Sequence, residues 1–227
     1  MNKPNYQRML EQNLTKIKAV TDAGEAPPTL LLHSCCAPCS SYVLEYLSDY
    51  FYITVFYYNP NIYPEQEYAM RVKEQQEFIR KFPAKYPISF VEGNYDTQRF
   101  YAIAKGLEMI PEGGERCFRC YELRLREAGE LARARGFDYF TTTLSISPLK
   151  NAEKLNEIGV RIGEELGVIY LQSDFKKKNG YKRSTELSKE YGMYRQDYCG
   201  CVYSYRERHP RALQAWQTEL GETDQEK

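Results

Sequence analysis

The sequence predicts an α/β fold: a mainly parallel sheet with flanking helices, followed by a helical C-terminal region. Three observations predict it. Five short segments, at 29–33, 53–58, 88–92, 137–143 and 168–171, are rich in leucine, β-branched or aromatic residues, as strands are. Helix-length segments separate them, long enough for the crossovers that parallel neighbours require. The first segment, Thr29-Leu30-Leu31-Leu32-His33, has an unbroken apolar centre, which suits a strand buried on both faces.

Each element carries its own signal. Tyr6, Leu10, Leu14 and Ile17 recur at helical spacing, and Pro27-Pro28 ends that region. Residues 40–50 read as a helix with Val43, Leu44 and Leu47 on one face. Asn59-Pro60-Asn61 breaks the second strand. Pro64 then opens a long helix over 65–81, where its missing N–H costs nothing. Asp96 caps a helix that ends near Gly106. Residues 112–115 form a loop, 117–135 a helix stopped by Gly136, and 151–166 a helix stopped by Gly167. After Gln172 the pattern changes: 185–191 and 205–220 read as helices before a polar tail. The chain thus reads as a single domain: an N-terminal helix (1–26), a sheet core (27–172), a helical region (173–220) and a tail (221–227).

Composition narrows the classes. A chain of 227 residues with 42% hydrophobic content can bury a core. Lys plus Arg and Asp plus Glu both number 31, so net charge says nothing about partners. The N-terminal segment has no apolar leader, and no apolar run approaches the ~20 residues of a membrane span. A cytoplasmic protein is expected, and there seven cysteines are more often ligands or redox groups than disulfide staples.

Those cysteines fall into three clusters. Cys35, Cys36 and Cys39 follow the first strand and open a helix. Ligands of open parallel sheets sit at strand carboxyl ends. The partial positive charge of a helix N-terminus also favours a thiolate. Cys117-Phe118-Arg119-Cys120 has a spacing that lets two thiolates reach one metal or cluster. Thiolate ligation suits zinc and iron–sulfur alike, and spacing does not separate them. Cys199-Gly200-Cys201 reads either as a redox-active pair whose strained disulfide is easily reduced or as two further metal ligands. Zinc staples need four thiols and thioredoxin-like enzymes two; seven in three groups indicate a metallocentre plus an electron-relaying dithiol.

Several blocks then occur in order. Leu31-Leu32-His33-Ser34-Cys35-Cys36-Ala37-Pro38-Cys39-Ser40, Tyr57-Tyr58-Asn59-Pro60-Asn61-Ile62-Tyr63-Pro64 and Arg116-Cys117-Phe118-Arg119-Cys120-Tyr121 are the first three. Thr141-Thr142-Thr143-Leu144, Asp174-Phe175-Lys176-Lys177 and Tyr194-Arg195-Gln196-Asp197-Tyr198-Cys199-Gly200-Cys201 complete the series. Together they resemble the cobalamin-independent epoxyqueuosine reductases, the QueH family, over about residues 5–208. The resemblance implies reduction of an epoxide on a modified guanine in tRNA, the last step of queuosine synthesis. It implies a 4Fe–4S cluster on Cys35, Cys36, Cys117 and Cys120, and a redox-active pair at Cys199 and Cys201. Cys39 is the candidate ligand of a second iron, and Asp197 the candidate proton donor. The implied fold resembles the nucleotide α-hydrolase-like (HUP-like) sheet. Thiols replace its phosphate loop, so no ATP use is expected, and no cobalamin.

For tRNA, the run Lys176, Lys177, Lys178, Lys182 and Arg183 beside Tyr181 is the candidate contact, since cations next to aromatics suit phosphates and bases. Arg206, Arg208 and Arg211 form a weaker patch. An external electron donor is a required partner, and no membrane is. His33 reads as a hydrogen-bonded strand-end residue or as a support beside the metal ligands. Two other classes remain: a thioredoxin-like thiol oxidoreductase, and a zinc-stapled RNA-binding module.

Overall fold

The computed structural model describes residues 4–209. Helix α1 (Tyr6–Asp22) precedes strand β1 (Thr29–His33), which runs directly into α2 (Ala37–Leu47). Then follow β2 (Tyr52–Tyr57), α3 (Glu65–Lys81), β3 (Ser89–Glu92), α4 (Thr97–Ala104) and α5 (Glu115–Arg135). Strand β4 (Tyr139–Thr142) leads through a short 3-10 turn (Thr143–Ile146) to α6 (Ala152–Leu166) and β5 (Ile169–Tyr170). Helices α7 (Gly180–Glu190) and α8 (Val202–Arg208) complete the described residues.

The sheet has five strands in the order β3-β2-β1-β4-β5, and every pairing is parallel. The chain proceeds outward from β1 on one side to β2 and β3, then returns to place β4 and β5 on the other. The reversal lies between β1 and β4, where a crevice opens at the strand carboxyl ends. The register sets His33 beside Phe56 and Thr142 at that end.

Alternation along β1 divides the core. Leu30 and Leu32 face α1 and α2, packing with Leu10, Leu14, Val43 and Leu47. Leu31 faces the opposite layer, with Leu125, Ala128, Leu155 and Ile162 of α5 and α6. At ~25 cal/mol per Å2 of apolar surface, these two layers supply the main favourable term in folding.

Most expected elements stand within a few residues of their places, and the differences have local causes. Helix α2 starts at Ala37, ahead of the expected 40, because Pro38 fits its first turn. Helix α5 starts at Glu115, so the second cysteine pair lies wholly inside its first turns. Gly136 closes α5 with φ +68, a left-handed conformation that glycine adopts without penalty. Helix α7 begins at Gly180, five residues before the expected start at 185, since a close approach to α2 supports turns that the polar sequence does not advertise. The last expected helix starts earlier, at Val202 after its cap Cys201. Its continuation over 210–220, Arg211 and the tail lie outside the described residues.

Candidate metal and redox centre

The site starts at the end of β1. Asn59 donates through Nδ2 to the Ser34 carbonyl at 2.8 Å, and the Ser34 hydroxyl donates to Gln75 Oε1 at 2.8 Å. These bonds fix the turn between β1 and α2, which holds Cys35 and Cys36; Cys39 projects from the first turn of α2. The three Sγ atoms lie within 4.8 Å of one another, with Cys35 and Cys36 3.9 Å apart. Among the described residues no other trio of metal-ligating side chains is this close. All seven cysteines are free thiols.

The trio lines a cavity of about 470 Å3, whose wall also carries Arg124, Lys150, Tyr181, Arg195, Gln196, Asp197 and Cys199. A narrow cleft beside it is lined by Cys117, Cys120, Cys199 and Cys201. Cys199, Arg124 and Lys150 border both spaces, so the three sequence clusters converge on one region. The structure brings Cys39 close to Cys35 and Cys36, and places Cys117 and Cys120 in the adjoining cleft. Gly200 has φ +116, which directs Cys199 and Cys201 to either side of a kink. An added Cβ there would stand 3.0 Å from Arg71 Nη1.

Electrostatics distinguish the thiols. Hydrogen bonds from Cys36 and Cys39 hold Cys35 well below the usual thiol range, with help from Arg124 and Thr143. Cys36 is pushed up to about 12, first by its bond to Cys35, and Cys39 moves up for the same reason. The ionised sulfur of the trio is thus Cys35, with Cys36 and Cys39 as its hydrogen-bonding neighbours. Burial raises Cys117, raises Cys120 to about 11 and raises Cys201 to about 12. Burial works against the charge of Lys150, but Cys199, Tyr121 and Glu112 outweigh it and keep Lys150 protonated. Its Nζ meets Glu112 at 2.5 Å.

Cations surround the sulfurs. Arg71 is 1% exposed and is paired with Glu67 at 2.7 Å. Its Nη1, like the Gln75 Nε2 one turn further along α3, is buried without a hydrogen-bond partner among the described residues. Buried donors in that state are costly unless an acceptor arrives. Arg71 also exerts its field on Cys36. A sulfur-only trio, two unsatisfied donors and buried guanidinium groups together fit an anionic, thiolate-held metal group. His33 is buried and pushed down to about 3, first by burial and then by Arg124, so it is neutral.

The family model described as "Epoxyqueuosine reductase QueH" matches residues 30–207. The chain belongs to the QueH family of epoxyqueuosine reductases. Among its relatives, the epoxyqueuosine reductase QueH of Streptococcus pyogenes serotype M1 is 43% identical over 204 residues, covering 89% of this chain and 78% of the relative. That of Staphylococcus epidermidis is 42% identical over 206 residues, covering 89% and 85%. That of Haemophilus influenzae is 39% identical over 222 residues, covering 96% and 87%.

Within this QueH chain the basic run is largely engaged in internal pairs. Lys176 meets Asp174 at 2.7 Å, Lys178 pairs with Glu11, Lys182 stands 4.0 Å from Glu186, and Arg183 meets Glu45 at 2.5 Å. Lys177 is exposed. Tyr181 is turned to the cavity, with the Arg195 guanidinium 5.7 Å above its ring. Asp197 also lines the cavity, 3.5 Å from His209. Sequence reasoning did not single out Arg71, Arg124, Lys150 or Arg195 as site residues. For Arg124 a signal existed: it shares a helical face with Cys117 and Cys120. No helix of the described residues is long and apolar enough to cross a membrane.

Proposed function

We propose that this chain reduces epoxyqueuosine to queuosine at the wobble position of tRNA, the last step of queuosine biosynthesis. The observation that carries the reading is the convergence of three cysteine clusters on a cavity and the cleft that adjoins it, in a chain of the QueH family. Cys35 and Cys36 with Cys117 and Cys120 would hold a 4Fe–4S cluster, with Cys39 available to a second iron. Bound there, such a group would supply electrons one at a time and Lewis acidity.

The protein residues account for the rest of the balance. Removing the epoxide oxygen breaks two C–O bonds, forms one C=C bond and consumes two electrons and two protons. A Cys199/Cys201 dithiol releases two electrons and two protons on closing to a disulfide, and an external electron donor restores it. Lys150, protonated, lines the same cavity wall as Cys199. Asp197 on the cavity wall passes a proton to the departing oxygen. Tyr181 and Arg195 give the entering base a stacking surface, and Lys177 with its neighbours Lys176, Lys178, Lys182 and Arg183 lies beside the phosphate path.

A single-metal reading has one observation in its favour. The 3.9 Å between Cys35 and Cys36 sulfurs is close to the ~3.8 Å between two thiolates of one tetrahedral ion with bonds of ~2.3 Å. Turnover separates the readings. The anaerobically loaded protein, epoxyqueuosine tRNA and a reductant should yield a nucleoside lighter by one oxygen atom, read by mass spectrometry. Cys199→Ser should bind the same iron and lose that product. A loaded wild-type protein that leaves the nucleoside unchanged would refute the reductase reading.

A further inference from the structure

Arg124 neither ligates metal nor seats the base in the reading above, yet its side chain is 2% exposed and borders both sulfur-lined spaces. A buried guanidinium must find partners for its N–H groups and charge. Nε donates to His33 Nε2 at 3.2 Å, and Nη2 donates to Asn59 Oδ1. An arginine Nε always carries hydrogen, so the Arg124 contact assigns His33 Nε2 as the acceptor and the ring proton to Nδ1, and the Tyr58 carbonyl, 3.2 Å from Nε2, then receives no bond from the ring. Nδ1 then donates to Thr142 Oγ1 at 2.8 Å, on the neighbouring strand. Arg124 is thereby anchored to β1 through His33, to β4 through Thr142 and to the loop after β2 through Asn59. It cannot swing, and its charge acts on Cys120, Cys35 and Cys199 together.

One-electron reduction of a thiolate-held centre adds one negative charge beside this fixed positive one. A fixed cation stabilises the more negative state and so raises the reduction potential. We propose that Arg124 is a positioning residue that sets the reduction potential of the centre, its place fixed by the His33–Thr142 and Asn59 hydrogen bonds. This rests on the iron–sulfur reading of the cysteines.

The test compares wild type with Arg124→Gln and Arg124→Lys, each full chain loaded anaerobically. Iron and sulfide content, circular dichroism and a redox titration followed by visible absorption and electron paramagnetic resonance are measured. Arg124→Gln should keep its iron and fold while its midpoint potential falls; Arg124→Lys, with charge retained, should lie nearer wild type. An iron-loaded Arg124→Gln with the wild-type potential overturns the proposal. Loss of iron in both variants also overturns it, since the residue is then structural. A wild-type chain with no redox-active iron defeats the iron–sulfur reading itself, a separate and visible outcome.

Discussion

The residues that charge the site are long cations whose burial is tertiary in origin. Arg71, Arg116 and Arg124 are among the largest fully buried side chains, yet on a helix such residues ordinarily face water. Arg71 has no period to mark it in its sequence context, and Arg124 has only the helical face it shares with Cys117 and Cys120, whereas the cysteines are marked by spacing alone. His33 follows the same logic: a strand-end imidazole turned neutral by burial. Its pKa is pushed down to about 3, against ~6.5 for a free histidine. Above ~6.5 both states are neutral, so nothing is lost. As pH falls from ~6.5 toward 3 the unfolded chain takes up a proton that the folded one refuses, and stability declines. Between pH 7 and 5 this group should cost about 2 kcal/mol. Denaturant titrations at both pH values should show that loss reduced in His33→Asn. An equal loss in the variant would assign the acid sensitivity elsewhere.

At the scale of elements, local signals placed the strands and the central helices, and tertiary approach decided the rest. Asp96 caps α4 through its carboxylate, which accepts from Gln98 and Arg99 amides, as its residue type predicts. Helix α7 is the contrary case. Gly180 begins it where a Cβ would stand 1.9 Å from the Phe175 carbonyl oxygen and 2.5 Å from the Tyr42 ring. Only glycine allows that approach, and no periodicity in the sequence announces it. Gly180→Ala should therefore destabilise the fold by roughly 1–3 kcal/mol, as overpacking does. Chemical denaturation measures it, and a change below ~0.5 kcal/mol would show that the helix shifts at little cost. The basic run belongs to this scale too: its spacing suggested a free surface, but Glu11 on α1 and Glu45 on α2 take up two of its charges.

For the whole molecule, strand order explains why the cysteines meet. The first cluster follows β1, beside the sheet's reversal point. The second opens α5, the crossover that leads into β4, and the third caps α8 against it. Arg116 ties these last two together, pairing with Glu207 of α8 at 3.0 Å. Fold class and the grouping of the cysteines were readable from sequence, because periodicity and spacing are local. The cations around them depend on how α3, α5 and the sheet pack, which spacing does not encode. The measurement that bears most directly on the centre is anaerobic purification followed by an absorption spectrum and iron, sulfide and zinc analysis. A 4Fe–4S site predicts broad absorption near ~400 nm with about four iron and four sulfide per chain. A colourless protein carrying one zinc would contradict it.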